Sequence, residues 1–146
     1  RMTARAHSLL KGAGVDAHLE PLRVRAACAG AGIFLTAEYE SVRVGFSALG
    51  AKGKPSEAVA EEAVAALLAH RDSGAALDQH LADQLVLPLS LVGASSSFTV
   101  ERVSRHLTTN SWVIEQFGLA QARVKGRRVD LQPLISNHQL PIGSYN

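Results

Sequence analysis

His106 is the residue whose type and setting point most directly to chemistry. It lies in the segment SRHLTTNSWVIEQFG, in which Thr108 or Thr109 is expected to cap a helix that continues through NSWVIEQF. A helix N-terminus gathers free backbone N–H groups, so it favours a phosphate and disfavours a cation. A neutral histidine held beside a phosphate can act as a nucleophile. By its residue type alone, His106 could equally be a capping or core residue.

A second candidate group lies in the segment DQHLADQLVLPL. The spacing of His80, Asp83 and Gln84 places them on one face of a predicted helix, while leucines occupy most of the remaining circumference. A helix this apolar is expected to be buried, and buried polar groups need partners. The polar face therefore predicts either a structural hydrogen-bond network or a functional site. Pro88 is expected to kink or shorten the helix.

Two familiar phosphate motifs and a zinc site are incomplete. The stretch ALGAKGKP has Ala48 where a P-loop needs its first glycine, and Pro55 follows Lys54 where Ser or Thr is needed. The stretch GAGIFL lacks the third glycine of a dinucleotide fingerprint and precedes a predicted strand. A zinc site built from His80 and His106 would lack a third close ligand.

The composition describes a globular chain rather than a disordered or membrane-spanning one. Of 146 residues, 47% are hydrophobic and 19% charged, and the net charge is +2. A pI near 9.0 permits an acidic partner without demanding one. Cys28 is the only cysteine, which excludes a disulfide framework and favours a reducing compartment, so we expect the protein in the cytoplasm. No apolar run is long enough to cross a membrane.

The predicted elements indicate an α+β domain. After the first helix and strand, the order of elements is β-β-α, α, β-α-β-β. The predicted order is a helix over 3–14, a strand over 18–27, a hairpin over 33–40 and 42–49, a helix from about 56, a helix over 76–93, a strand over 97–103, the helix after His106, and two strands about a turn at 125–128.

Three segments together resemble the C-terminal half of RNA 3′-terminal phosphate cyclases of the cyclase branch. They are GFSALGAKGKPSEAVAEEA, DQHLADQLVLPLSL and SFTVERVSRHLTTNSWVIEQF. The resemblance covers about 30–118. It implies repeated ββα units like the C-terminal domain of a bacterial translation initiation factor, with part of a small inserted α/β domain. The implied organisation is the end of the inserted domain at 1–29, part of the catalytic domain at 30–135, and a tail at 136–146.

The resemblance also implies a reaction and its residues. ATP adenylates a histidine, AMP passes to an RNA 3′-phosphate, and the neighbouring 2′-hydroxyl closes a 2′,3′-cyclic phosphate. His106 falls on the adenylated histidine, and Asp83 and Gln84 fall on nucleotide-binding positions. His80 falls where family members often carry a tyrosine against adenine. The implied cofactors are ATP and a divalent metal, Mg or Mn, whose ligands stay unknown. The implied partners are RNA 3′-phosphate ends.

Family members are much longer than this chain, so the resemblance implies a missing N-terminal half as a further partner and a fragment that is inactive alone. Two rival functions stay open. One is a non-catalytic cyclase-like protein of ribosomal RNA processing, a branch that lacks the nucleophilic histidine. The other is an RNA-binding module, which would show no dependence on ATP.

Overall fold

The computed structural model describes residues 1–40 and 42–134, which divide into two compact units, Arg1–Ser73 and a second unit from Gly74 onward. The predicted tail at 136–146 lies outside the described residues. The first unit contains α1 (Met2–Gly12), β1 (Gly32–Glu38), β2 (Arg43–Leu49) and α2 (Ser56–Ser73). The second contains α3 (Gln79–Leu91), β3 (Ser96–Thr99), α4 (Arg105–Gln116), β4 (Ala120–Lys125) and β5 (Arg128–Pro133). The prediction of an α+β chain is confirmed.

The first unit is an antiparallel hairpin with helices on one face. Strands β1 and β2 pair from Gly32 opposite Leu49 to Glu38 opposite Arg43. Alternate residues of β2 are buried, as expected for a strand with one face against a core. Helix α2 packs on both strands and on α1, so the core lies between the hairpin and the helices.

The predicted strand at 18–27 is wrong, because the structure has no regular element between α1 and β1. Two of the apolar residues that suggested it point into solvent, with Leu22 exposed by 74% and Val24 by 82%, whereas Leu19 packs against the core of the first unit. An alternating pattern shows that a segment has one apolar side, but a strand also needs a neighbour to accept its backbone hydrogen bonds. Among the described residues, β1 pairs only with β2.

The second unit is a three-stranded antiparallel sheet in the order β3-β5-β4. Val129 and Leu131 of β5 are buried, whereas the intervening Asp130 and the flanking Arg128 point to the opposite face. Helix α3 contacts β5, α4 contacts β4, and the two helices pack on each other. Both helices therefore cover the apolar face of the sheet, and none of the elements described up to residue 134 in this unit covers the polar face.

Both helices of the second unit begin at the same end of its sheet. Leu77 forms a parallel bridge with Val100 next to the sheet, and the Glu101 N–H donates to the Leu77 carbonyl at 2.9 Å. Asp78, the N-cap of α3, follows Leu77 directly, and α4 begins shortly after Val100. The parallel arrangement thus brings the two helix N-termini to one edge, which is where the chemically promising residues lie.

Candidate functional site

Helix α4 begins earlier than the sequence predicted, and Ser104 caps it. The Ser104 side chain accepts a hydrogen bond from the Leu107 N–H at 3.0 Å. The prediction that Thr108 or Thr109 is the cap is wrong, because Thr108 already lies inside the helix and its hydroxyl donates to the Arg105 carbonyl at 2.9 Å. His106 is therefore the second residue of the helix, not a residue ahead of it.

The first turn of α4 has the features of an anion site. The His106 and Arg105 side chains are both exposed. The Ser104 hydroxyl accepts from the Leu107 N–H, and the Ser104 carbonyl accepts from the Thr108 N–H. Across residues 1–40 and 42–134, the backbone N–H groups of Arg105 and His106 therefore donate no hydrogen bond. Two free N–H groups, a guanidinium and an imidazole thus meet at the positive end of a helix, a combination that suits a phosphate.

Helix α3 carries the polar face formed by His80, Asp83 and Gln84. The Asp78 side chain caps the helix by accepting from the N–H groups of His80 at 2.7 Å and Leu81 at 3.0 Å. His80 and Gln84 are exposed and Asp83 is half-buried. Pro88 does not end the helix, which continues to Leu91.

The expectation that α3 is buried around most of its circumference is wrong for this chain. Only Ala82, Val86 and Ser90 are buried in it, while Leu87 is exposed by 49% and Leu91 by 41%. The helix rests on the sheet and on α4 with one narrow stripe. Its polar face therefore lies at a surface, where a ligand can reach it.

A hydrogen bond ties α4 to the polar face of α3. The Asn110 side chain, one helical turn after His106, donates from Nδ2 to the Asp83 backbone carbonyl at 3.1 Å. The Asp83 carboxylate is not used in this bond. The contact fixes the two helices against each other at the positions that carry the candidate residues.

A second network holds His80. Arg102 donates from Nε to Oε1 of Gln79 at 2.9 Å, and the Gln79 amide nitrogen lies 3.2 Å from Nε2 of His80. Because Oε1 faces Arg102, the amide nitrogen is the donor, and Nε2 of a neutral His80 is the acceptor. This contact favours the tautomer of the imidazole with its proton on Nδ1 and ties the ring to Gln79 at the start of α3.

The structure does not join His106 to the polar face by direct bonds. Within the described residues, no hydrogen bond or ion pair links His106 to His80, Asp83 or Gln84. We predict that the Asp83 carboxylate orients the His106 imidazole and that all four side chains line one cavity, and no contact in the described residues tests either prediction. No group of three or more His, Cys, Asp or Glu residues suited to a metal occurs in the described part of the chain.

The first unit offers a weaker candidate in the loop that resembled a P-loop. The Lys54 ammonium donates to the Leu49 carbonyl at 3.2 Å and pairs with Glu62. These contacts tie the loop to α2, which favours a structural role for Lys54 over phosphate binding. None of the helices in the described residues is both long and apolar enough to cross a membrane.

Comparison with known proteins decides the family. The first 72 residues match the family model described as the insert domain of RNA 3′-terminal phosphate cyclase. The chain is 59% identical over 125 residues to the RNA 3′-terminal phosphate cyclase of Methylococcus capsulatus, covering 86% of this chain and 35% of that protein. The RNA 3′-terminal phosphate cyclase of Nostoc punctiforme is 50% identical over 124 residues, which cover 85% of this chain and 36% of that protein. The cyclase of Methanopyrus kandleri is 40% identical over 115 residues, which cover 78% of this chain and 30% of that protein.

The chain belongs to the RNA 3′-terminal phosphate cyclase family. It spans about a third of the length of the curated relatives it matches. The match to the insert domain ends at residue 72, and the first compact unit ends at Ser73. Neither division falls at residue 29, where the resemblance placed the end of the inserted domain. The division into an inserted domain at 1–29 and a catalytic domain at 30–135 stays a prediction.

Sequence reasoning missed four residues that build this part of the cyclase-family chain: Gln79, Arg102, Ser104 and Asn110. A signal existed for Ser104, because serine is a preferred N-cap, and Leu107 and Ile114, seven residues apart, lie on one face of a helix that includes Leu107. No comparable signal existed for the other three, since their partners are distant in sequence.

Proposed function

We propose that the protein to which this chain belongs converts an RNA 3′-terminal phosphate to a 2′,3′-cyclic phosphate in an ATP-dependent reaction, with His106 as the nucleophile. The observation that carries the proposal is the first turn of α4. It presents an exposed imidazole beside two backbone N–H groups that donate to nothing in the described residues. The names of the relatives supply the reaction class.

In the first step, a ring nitrogen of neutral His106 attacks the α-phosphorus of ATP. A nitrogen–phosphorus bond forms, the bond to the β-phosphate bridge oxygen breaks, and pyrophosphate leaves. In this proposal the free N–H groups of Arg105 and His106 stabilise charge on the α-phosphate oxygens, and the Arg105 guanidinium adds a positive charge. Covalent catalysis divides one difficult phosphoryl transfer into easier ones.

In the later steps, an oxygen of the RNA 3′-phosphate attacks the phosphorus held by His106, which releases the imidazole and leaves AMP on the RNA. The neighbouring 2′-hydroxyl then attacks the 3′-phosphorus, losing its proton to solvent or to a base. The cyclic phosphate forms as AMP departs. His106 is regenerated for another cycle.

The polar face of α3 is proposed to hold the nucleotide. The exposed His80 ring is proposed to stack on adenine, and its contact with the Gln79 amide helps to position it. The Asp83 carboxylate and the Gln84 amide can contact the ribose or the base, since the Asn110 bond uses only the Asp83 backbone. The family implies Mg or Mn, but the described residues form no metal-binding cluster. No ligand of this chain and no step is therefore assigned to a metal.

The two rival functions make different predictions. A non-catalytic cyclase-like protein and a plain RNA-binding module would both leave the protein unlabelled by ATP. The test is incubation of the intact protein with ATP labelled at the α-phosphate, followed by denaturing electrophoresis. We expect a covalent label that acid removes and base does not, as for a phosphoramidate, and RNA bearing a 3′-phosphate should discharge it. A protein that cyclises RNA without acquiring the label, or a label that base removes, would contradict the proposal.

A further inference from the structure

A basic turn lies at the end of the second sheet where both helices begin. Strand β4 ends at Lys125, β5 begins at Arg128, and Gly126 between them adopts a φ of 58°. The Val100 N–H donates to the Arg127 carbonyl at 2.8 Å. Since Val100 also bridges Leu77, the turn is held next to the segments that lead into the caps of α3 and α4.

Three cations project from this end of the sheet onto its open face. Lys125 lies directly opposite Arg128, and Arg123 lies directly opposite Asp130. Directly paired residues share a face, and it is the face opposite buried Val129 and Leu131. We call Arg123, Lys125 and Arg128 the basic sheet surface.

Two cations of the basic sheet surface lie in a pairing that destabilises the sheet. Like charges directly opposite each other in a sheet repel, and Lys125 faces Arg128 in this way. Asp130 is the carboxylate on this face, and it pairs with Arg128 at 2.9 Å. Lys125 has no ion pair among the described residues. Asp130 thus offsets the Arg128 charge, and a bound polyanion would neutralise Lys125 as well.

The surroundings of the cations suit phosphate and sugar rather than bases. A depression of about 360 Å³ on the same face is lined by hydroxyl, amide and guanidinium groups and by one carboxylate, which pairs with Arg128; its polar lining includes Ser97, Gln121, Arg123, Asp130 and Gln132. Phe98 points to the covered face, since it pairs with buried Val129. Hydroxyl, amide and guanidinium groups are the usual partners of a nucleic-acid backbone, whereas base recognition in single strands needs stacking rings.

We propose that the basic sheet surface binds backbone phosphates of the RNA strand upstream of the 3′-phosphate that reacts at His106. The inference rests on the proposed function and assigns the substrate a second contact region. Arg123 and Lys125 lie along β4, and Arg128 lies across from Lys125 on β5, so the cations are spread over the sheet rather than gathered in one pocket. Cations spread in this way match successive phosphates of a chain better than they match a single nucleotide.

The test uses the intact protein carrying Lys125→Gln with Arg128→Gln, and separately Arg123→Gln. The first readout is the Kd of a fluorescent single-stranded RNA ending in a 3′-phosphate, measured by anisotropy over a range of KCl concentrations. We expect weaker binding and a salt slope reduced by about 0.7 for each RNA phosphate that the variant no longer neutralises. Lys11→Gln and Arg43→Gln, which remove exposed cations from the first unit, are the matched controls and should leave both quantities unchanged.

The second readout separates RNA binding from chemistry. With α-labelled ATP and no RNA, the variants should form the covalent adduct as fast as the parent protein. In cyclisation assays the KM for a long RNA should rise, while the KM for a dinucleotide 3′-phosphate should not. An unchanged Kd and salt slope, or a slowed adduct formation without RNA, would overturn the inference. If the parent protein binds RNA through this surface but never forms an adduct, RNA binding by the basic sheet surface is confirmed and the proposed function fails.

Discussion

Asn110 donates a hydrogen bond from Nδ2 to the backbone carbonyl of Asp83 at 3.1 Å. The bond links α4, one turn after His106, to the polar face of α3. Because the acceptor is a main-chain atom, the Asp83 carboxylate keeps its full capacity for a ligand. Asn110 is thus a positioning residue, which holds the proposed nucleophile and the proposed nucleotide-binding residues in a fixed relation.

Replacing Asn110 should separate positioning from stability. We expect Asn110→Ala to lower the free energy of unfolding by about 1 kcal/mol, the usual worth of one hydrogen bond, and to slow adduct formation at saturating ATP. Initial adduct rates and thermal melting of the intact protein measure the two effects. Thr109→Ala, at the adjacent exposed position of the same helix, is the control and should slow nothing. An unchanged adduct rate in Asn110→Ala would reduce its role to structure alone.

The Ser104 cap can be tested by changing its charge while keeping its hydrogen bond. Ser104→Ala should lower the free energy of unfolding by about 1 kcal/mol, because the Leu107 N–H loses its acceptor. Ser104→Asn and Ser104→Asp should both keep the cap. Only the aspartate brings a negative charge to the turn proposed to hold the α-phosphate, so only it should raise the ATP concentration needed for half-maximal labelling. Equal ATP requirements for Asn and Asp would argue against a phosphate at this turn.

The sequence predicted the hairpins and helices best where the partners are close along the chain. Strands β1 and β2 were recognised because they are joined by a short turn, and β4 and β5 because Gly126 lies between two alternating segments. The predicted strand around Leu22 and Val24 failed because its formation depends on a neighbouring strand, about which a local pattern carries no information.

The candidate site was predicted in residue type but not in geometry. Helical spacing correctly placed His80, Asp83 and Gln84 on one helix, and His106 near the start of another. The periodicity of α3 identified its apolar faces without showing whether anything covers them, and Leu87 and Leu91 are exposed. The Asn110–Asp83 bond joins side chain to backbone across two helices, so no residue pattern could reveal it.

The base-stacking role of His80 predicts opposite results for two substitutions. His80→Tyr should preserve ATP use, and His80→Ala should raise the ATP requirement by about one to two decades, since one base–aromatic stack is worth about 1–3 kcal/mol. The ATP dependence of labelling and the melting temperature are measured on the same variants. A large loss of stability in His80→Ala with an unchanged ATP requirement would assign His80 to the structure instead.

The central claim is that His106 carries AMP, and labelling of a His106→Ala variant tests it most directly. His106 is exposed, and alanine is a good helix former, so circular dichroism and melting should match the parent protein. His7→Ala, which removes an exposed histidine from α1, is the matched control. With α-labelled ATP, we expect a full adduct on the parent and on His7→Ala, and none on His106→Ala. A folded His106→Ala protein that still forms the adduct would contradict the account.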